Sequence, residues 1–105
     1  MSSVEAARQT LTDLTTSGRV VILGEDDCPF TQRTKAIVEP LVAPEQYKVH
    51  HSSKIPHALI IQQILVDDYN YGSIPAVFID GKFVGGFSEV NTLHSSGELQ
   101  KMLSA

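Results

Sequence analysis

The chain has 105 residues, a formal net charge of −4 and 42% hydrophobic residues. That length suits a single domain over residues 1–105, with enough apolar material for an ordinary core. The acidic balance argues against a nucleic-acid partner, which needs basic patches that displace phosphate counterions. The longest apolar runs, Val20 to Leu23 and Ala58 to Ile61, fall far short of the roughly 18–20 residues that cross a bilayer, so no membrane partner is expected. Met1-Ser2-Ser3-Val4-Glu5 has neither the basic start nor the apolar stretch of a signal peptide, and the expectation is a soluble, cytoplasmic protein. One cysteine excludes an internal disulfide, and no Cys/His cluster has zinc-ligand spacing.

Along the chain, Val4, Ala7, Leu11 and Leu14 recur at helical spacing, with Ser17-Gly18 as a stop. Arg19 to Leu23 is a short β-branched run, read as a buried strand. After the polar stretch Gly24 to Asp27, Pro29 stands where a first-turn helical proline is tolerated. Ala36, Ile37, Val38 and Leu41 give that helix an apolar side, and Pro40 ends or kinks it. Tyr47 to His51 reads as a second strand, with Tyr47 and Val49 on one face. Pro56 opens the next helix, where Leu59, Ile60, Ile64 and Leu65 form an apolar stripe. Asn70, Gly72 and Ser73 mark a loop. Ile74 to Ile79 and Lys82 to Val84 flank Asp80-Gly81, a hairpin signal because type I′ turns need positive φ. Gly85-Gly86 closes that strand, Ser88 can cap a last helical region, and Gly97 can interrupt it. The order α-β-α-β-α-β-β-α predicts an α/β layered architecture with a mixed four-stranded sheet, its β-α-β unit crossing over right-handed.

Cys28 follows a strand and starts a helix. The thiolate is the reactive form of cysteine, and helix N-termini favour anions through free N–H groups and the macrodipole. A lone intracellular cysteine is also often a small buried hydrophobe. The polar residues Asp26 and Asp27 argue for the edge of the sheet over its interior. His50, His51, His57 and His94 form no convincing metal set, since His50 and His51 point to opposite faces of a strand. No phosphate loop or nucleophile elbow is present.

Cys28-Pro29-Phe30-Thr31, followed by Gln32-Arg33-Thr34-Lys35, resembles the C-P-[YF]-C active-site helix of glutaredoxins. Ser73-Ile74-Pro75-Ala76-Val77-Phe78-Ile79-Asp80-Gly81-Lys82 resembles that family's T-V-P-x-[VI]-F-[IV]-x-G-K segment. Gly85-Gly86-Phe87-Ser88-Glu89 resembles its G-G-x-[ST]-D motif, and Ser96-Gly97-Glu98-Leu99 its S-G-E-L close. The matches keep the family's order and span residues 19 to 103. The resemblance implies a thioredoxin-like fold and glutathione as co-substrate. It makes Cys28 the nucleophile that forms a mixed disulfide with glutathione. Pro75 would be a cis-proline beside the thiol, with the Ile74 backbone pairing with the glutathione cysteinyl unit. Phe87, Ser88 and Glu89 would offer N–H groups to the γ-glutamyl carboxylate, an anion site that a helix start also allows. Gln62 would contact the glycyl carboxylate, and Phe30 would line the groove.

The chain departs from the family's pattern at three places. Thr31 replaces the second cysteine, which leaves only the monothiol route with glutathione as resolving thiol. Glu25 stands where the family usually has lysine. Each carboxylate of Glu25-Asp26-Asp27 at about 8 Å disfavours the thiolate by about 0.5 kcal/mol in water. Three of them roughly equal the 0.3–1 kcal/mol usual at a helix terminus, so the two effects nearly cancel unless Arg33 and Lys35 tip them. Glu89 replaces aspartate, and no arginine precedes Ser73-Ile74-Pro75. The expected activity is glutathione-dependent reduction of glutathionylated proteins or small disulfides by a monomer. The alternatives are a dimer holding a [2Fe–2S] cluster through Cys28 and glutathione, and an interaction module that has lost the chemistry. Pro29 replaces the glycine of cluster-binding C-G-F-S sites.

Overall fold

The protein is described here from a computed structural model, over residues 2–104. Helix α1 (Ser3–Thr15) starts at Ser2, whose hydroxyl accepts from the Glu5 N–H, and leads to strand β1 (Val20–Gly24). Helix α2 (Pro29–Val38) follows, then two 3₁₀ turns (Glu39–Leu41 and Pro44–Gln46) around Pro40 and Pro44. Strand β2 (Tyr47–His51), helix α3 (Ala58–Tyr69) and the hairpin β3 (Ala76–Ile79) and β4 (Lys82–Gly85) come next. Helices α4 (Phe87–Ser95) and α5 (Glu98–Leu103) end the described chain. Gly97 separates these two with a φ of 82°, and Asp80 and Gly81 make the expected hairpin turn with positive φ.

The sheet order is β2-β1-β3-β4. Strand β1 runs parallel to β2 and antiparallel to β3, with Val21 opposite Phe78 and Leu23 opposite Ala76. Because successive strand residues alternate faces, the sheet has two apolar sides. Val21, Leu23, Ala76 and Phe78 meet Ala7, Ile61, Ile64 and Leu65 of α1 and α3. Val20, Ile22, Val77 and Ile79 meet Val38, Val90, Leu99 and Leu103 of α2, α4 and α5. Burying each large apolar side chain this way contributes roughly 1.5–3 kcal/mol. Arg19 also joins distant parts of the chain. Its guanidinium donates to the carbonyls of Met102 (2.7 Å) and Leu103 (3.2 Å) and lies 3.4 Å from Asp80 Oδ1.

The structure corrects several sequence expectations. Helix α3 begins at Ala58, after a left-handed His57 (φ 60°), not at Pro56. Its inward stripe is Ile61, Ile64 and Leu65, with Ile60 partly covered, whereas Leu59 is 82% exposed. At 100° per residue, Leu59 points about 200° away from Ile61. In α2 the buried positions are Thr31, Thr34 and Val38, while Ala36 is exposed. The Thr34 hydroxyl is satisfied by donating to the Phe30 carbonyl at 2.7 Å. Strand β3 starts at Ala76, two residues after Ile74, because Pro75 has no N–H for the ladder. Ser88 is not the cap of α4: Gly86 holds that position, and Ser88 lies in the first turn.

Candidate active site at the carboxyl end of the central strand

Three junctions meet at one end of the sheet. They are the β1–α2 turn after Gly24, the loop ending in Pro75 before β3, and the β4–α4 turn at Gly85-Gly86. Gly24 brings α2 close to β1. A Cβ at Gly24 would lie 2.6 Å from Thr31 Oγ1 and 2.8 Å from its Cγ2, so only glycine leaves Thr31 its place. The Glu25 N–H donates to Thr31 Oγ1 at 3.4 Å.

Cys28 is the N-cap of α2, partly exposed, with Pro29 as the first helical residue. Its side chain caps nothing and faces the free donors of the first turn. The thiol is held below its ordinary pKa, chiefly by the Thr31 hydroxyl, then by the backbone N–H groups of Thr31 and Phe30. Burial and the Asp27 carboxylate oppose this more weakly. Thr31 thus favours the Cys28 thiolate through both its hydroxyl and its backbone N–H.

The near-cancellation expected from the acidic run is not what the side chains do. Glu25 turns away to the β2–α3 loop, accepting from Ser52 Oγ (3.1 Å), Ser53 N (3.2 Å) and Ser53 Oγ (2.7 Å). These bonds hold its carboxyl below the usual glutamate range. Asp26 lies 3.0 Å from His51 Nε2 and 4.0 Å from Lys35 Nζ. Of the three carboxylates, Asp27 is the one that opposes the thiolate. The other histidines are apart: His50 meets Ser17 Oγ at 3.0 Å and His94 meets Gln100 at 2.9 Å. Among the described residues no group of three His, Cys, Asp or Glu side chains could hold a metal ion.

The Ile74–Pro75 peptide is cis, and Pro75 is buried. The half-buried Tyr71 fixes this turn by donating its hydroxyl to the Pro75 carbonyl at 2.5 Å. The same hydroxyl occupies the space where a Cβ on Gly86 would stand, so Gly86 has to be glycine. At the start of α4, Glu89 Oε1 accepts from the Gly86 N–H at 2.7 Å. That leaves the N–H groups of Phe87 and Ser88 with no carbonyl of a preceding turn in reach. Phe30, half exposed, lies 5.5 Å from the Phe87 ring, with the Arg33 guanidinium 5.4 Å from its centroid.

The residues expected from sequence therefore fall into two groups. Cys28, Phe30, Pro75, Phe87, Ser88 and Glu89 belong to the thiol corner formed by α2, the Pro75 turn and α4. Gln62 and Ile74 instead line a cleft of about 650 Å³ beside α3, whose wall does not include Cys28, Phe87, Ser88 or Glu89. Thr31 and Tyr71 were not singled out as functional from the sequence. Thr31 signalled only a missing cysteine, and nothing local to Tyr71 points to Gly86, fifteen positions on.

The chain is 33% identical over 85 residues to glutaredoxin-2 of Schizosaccharomyces pombe, a match covering 81% of this chain and 76% of that one. This chain belongs to the glutaredoxin family. A second relative, monothiol glutaredoxin-S6 of Oryza sativa subsp. japonica, is 32% identical over 87 residues, covering 83% of this chain and 65% of that protein. No family model matches the chain. Among solved structures, the holo form of glutaredoxin C1 from Populus tremula x tremuloides superposes with a TM-score of 0.86 at 28% identity, over 97% of this chain and 90% of that one. The buckwheat glutaredoxin–glutathione complex gives 0.86 at 27% identity, over 97% and 91%. The fold is thus the thioredoxin-like glutaredoxin fold, its four-stranded mixed sheet flanked by helices, and the chain is a thiol oxidoreductase of glutaredoxin type. No helix among the described residues is long and apolar enough to cross a membrane.

Proposed function

We propose that this glutaredoxin reduces glutathione mixed disulfides through Cys28 alone. The observation that carries the reading is the Cys28 thiol at the start of α2, with the Thr31 hydroxyl and two backbone N–H groups favouring its thiolate. A thiolate of lowered pKa and partial exposure is the form that attacks disulfides. In the first step Cys28 Sγ attacks the glutathionyl sulfur of R–S–S–G. The substrate's S–S bond breaks, RS⁻ leaves and takes a proton, and Cys28–S–S–G forms. A second glutathione thiolate then attacks the glutathionyl sulfur, releasing glutathione disulfide and the Cys28 thiolate. The sum is R–S–S–G + GSH → RSH + GSSG, a two-electron reduction of the substrate at the expense of glutathione. Thr31 supplies no second thiol, so the monothiol route is the one available.

Glutathione binding is supported by the free N–H groups of Phe87 and Ser88, which suit a carboxylate at a helix start, and by the solved buckwheat complex of the same fold. In this reading the Ile74 backbone beside Pro75 pairs with the cysteinyl unit, and Phe30 and Phe87 wall the groove. Glu89 serves by fixing the turn that presents the N–H groups. A [2Fe–2S] cluster needs four thiolate ligands. This chain supplies one, Cys28, so a cluster would have to draw its other thiolates from a second copy of the chain and from bound glutathione, and no step is routed through one.

A glutathione-coupled reductase assay tests the proposal. The wild type should turn over a small glutathione mixed disulfide, and Cys28→Ser should fall to the uncatalysed rate. No turnover by the wild type at any pH up to about 9 would refute it.

A further inference from the structure

Strands β3 and β4 are paired by their ladder only as far as Val77 and Gly85, past an irregularity at Val77/Phe78. Beyond that pair lie the Pro75 turn on one strand and the Gly86 turn on the other. Pro75 has no N–H to continue the pairing, and the Gly86 N–H is taken by Glu89 Oε1. The Tyr71 side chain spans the two turns instead. Its hydroxyl donates to the Pro75 carbonyl at 2.5 Å. A Cβ on Gly86 would run into that hydroxyl and lie 3.1 Å from the Pro75 carbonyl oxygen, so the hydroxyl is wedged between both turns. Tyr71 is itself braced. Its N–H donates to the Leu65 carbonyl at 3.2 Å, just past the left-handed Asn70 that ends α3, and its ring packs on Phe83 with centroids 5.3 Å apart. Burial, then the negative charges of Glu89 and the Cys28 thiolate, push the phenol pKa above its ordinary 10.0. The hydroxyl therefore keeps its proton through the pH range in which Cys28 ionises, and it lies within electrostatic reach of the reacting sulfur.

We propose that Tyr71 is a positioning residue for glutathione recognition, its hydroxyl holding the Pro75 turn and the start of α4 at a fixed separation. This rests on the reading that glutathione reacts at Cys28 between the Ile74 backbone and the N–H groups of Phe87 and Ser88. Those two sets of groups are carried by the two turns that Tyr71 joins, and neither is held by the ladder. A ligand bonded to both at once needs them at one spacing, and small misplacements of positioning groups are costly to rate. The groups that hold the Cys28 thiol down are Thr31 and Phe30, not Tyr71. Recognition and thiol activation are therefore separable by mutation.

The test compares the rates at which reduced protein reacts with glutathione disulfide and with 2-hydroxyethyl disulfide, using iodoacetamide alkylation to report on the thiol alone. The hydroxyethyl compound offers an S–S bond but neither the cysteinyl amide nor the γ-glutamyl carboxylate. With either disulfide, Cys28 Sγ attacks one sulfur, the S–S bond breaks, and the leaving thiolate takes a proton from solvent. Tyr71→Phe should slow the reaction with glutathione disulfide about threefold to tenfold, the range of one lost hydrogen bond. Its rate with hydroxyethyl disulfide and its alkylation-versus-pH curve should remain those of the wild type. Gly86→Ala crowds the same hydroxyl from the other turn and should lower the same ratio of rates. The loss in the double variant should fall short of the product of the two single losses, because both act through one contact. Circular dichroism checks that each variant is folded, and Tyr71→Phe decides alone should Gly86→Ala not fold. A Tyr71→Phe protein that keeps the wild-type ratio of the two rates would overturn the inference. So would equal slowing of both disulfides, or a double variant that shows the full product of losses. If the wild type reacts no faster with glutathione disulfide than with the hydroxyethyl compound, the glutathione reading itself fails, and this inference fails with it.

Discussion

Replacing Gly24 by alanine tests how tightly the thiol's environment depends on strand–helix contact. The added Cβ would lie 2.6 Å from Thr31 Oγ1 and 2.8 Å from Cγ2, against an ordinary limit of 3.4 Å, so the two must separate by the difference, about 0.8 Å. Thr31 is fully buried and anchored on the first turn of α2, so the adjustment falls on backbone and not on a flexible side-chain end. Overpacking of this kind costs roughly 1–3 kcal/mol. With about 4–8 °C of melting temperature per kcal/mol for a domain near this size, the loss is easily read by circular dichroism. The same shift moves the Thr31 hydroxyl away from Cys28, so the thiol pKa should rise and alkylation near neutral pH should slow. Adding Thr31→Ala to Gly24→Ala should recover most of the melting temperature, because the clash is removed. It should not recover the alkylation profile, because the hydroxyl is gone too. A Gly24→Ala protein with unchanged melting and an unchanged alkylation-versus-pH curve would refute the reasoning.

Other expectations are independent of that contact. Tyr71→Phe deletes the hydroxyl bond to the Pro75 carbonyl and should lower stability by about 1 kcal/mol in urea unfolding; a value within error of zero would mean that the bond does not hold the Pro75 turn. Glu25 has a folded pKa below its ordinary 4.5 because of its serine bonds. Such a group stabilises the protein above its unfolded pKa, and the gain is lost as pH falls through the folded value. Wild type should therefore melt above Glu25→Gln at neutral pH, and the gap should close on acidification below about 4.5; a gap that widens in acid would contradict the assignment. Leu59→Ser should leave the melting temperature within about 1 °C, since exposed positions rarely carry stability, and a larger drop would place Leu59 in the core.

Most of the framework is readable from local pattern. The run Val20 to Leu23 is apolar on both faces because helices cover both, and Asp80-Gly81 adopts the positive φ that such a turn needs. Cys28-Pro29 marks the start of α2 because proline is tolerated there and glycine is not required. The sequence misleads where the deciding contact is distant in the chain. Leu59 looked like core because α3 is apolar nearly all round, and only the sheet's position chooses Ile61 over it. The Glu25-Asp26-Asp27 run looked like an obstacle to the thiolate by proximity alone. Its direction depends on His51 at the end of β2 and on Ser52 and Ser53 in the loop that follows. Ser88 has the right side chain for a cap, yet Gly86 holds that place because Tyr71 leaves no room for a Cβ there.

The guanidinium of Arg19 meets the carbonyls of Met102 and Leu103, at the far end of the described chain. Strand β1 therefore completes its surroundings only after α5 is in place, and Leu99 and Leu103 of that helix seal one side of the sheet. One of the two layers over β1 therefore closes only when a helix distant in sequence has folded onto it. Non-local closure of this kind slows folding relative to a chain of local contacts. Until α5 docks, Val20 and Ile22 are covered only by α2 and α4, so a folding intermediate lacking α5 leaves part of this face open to other chains.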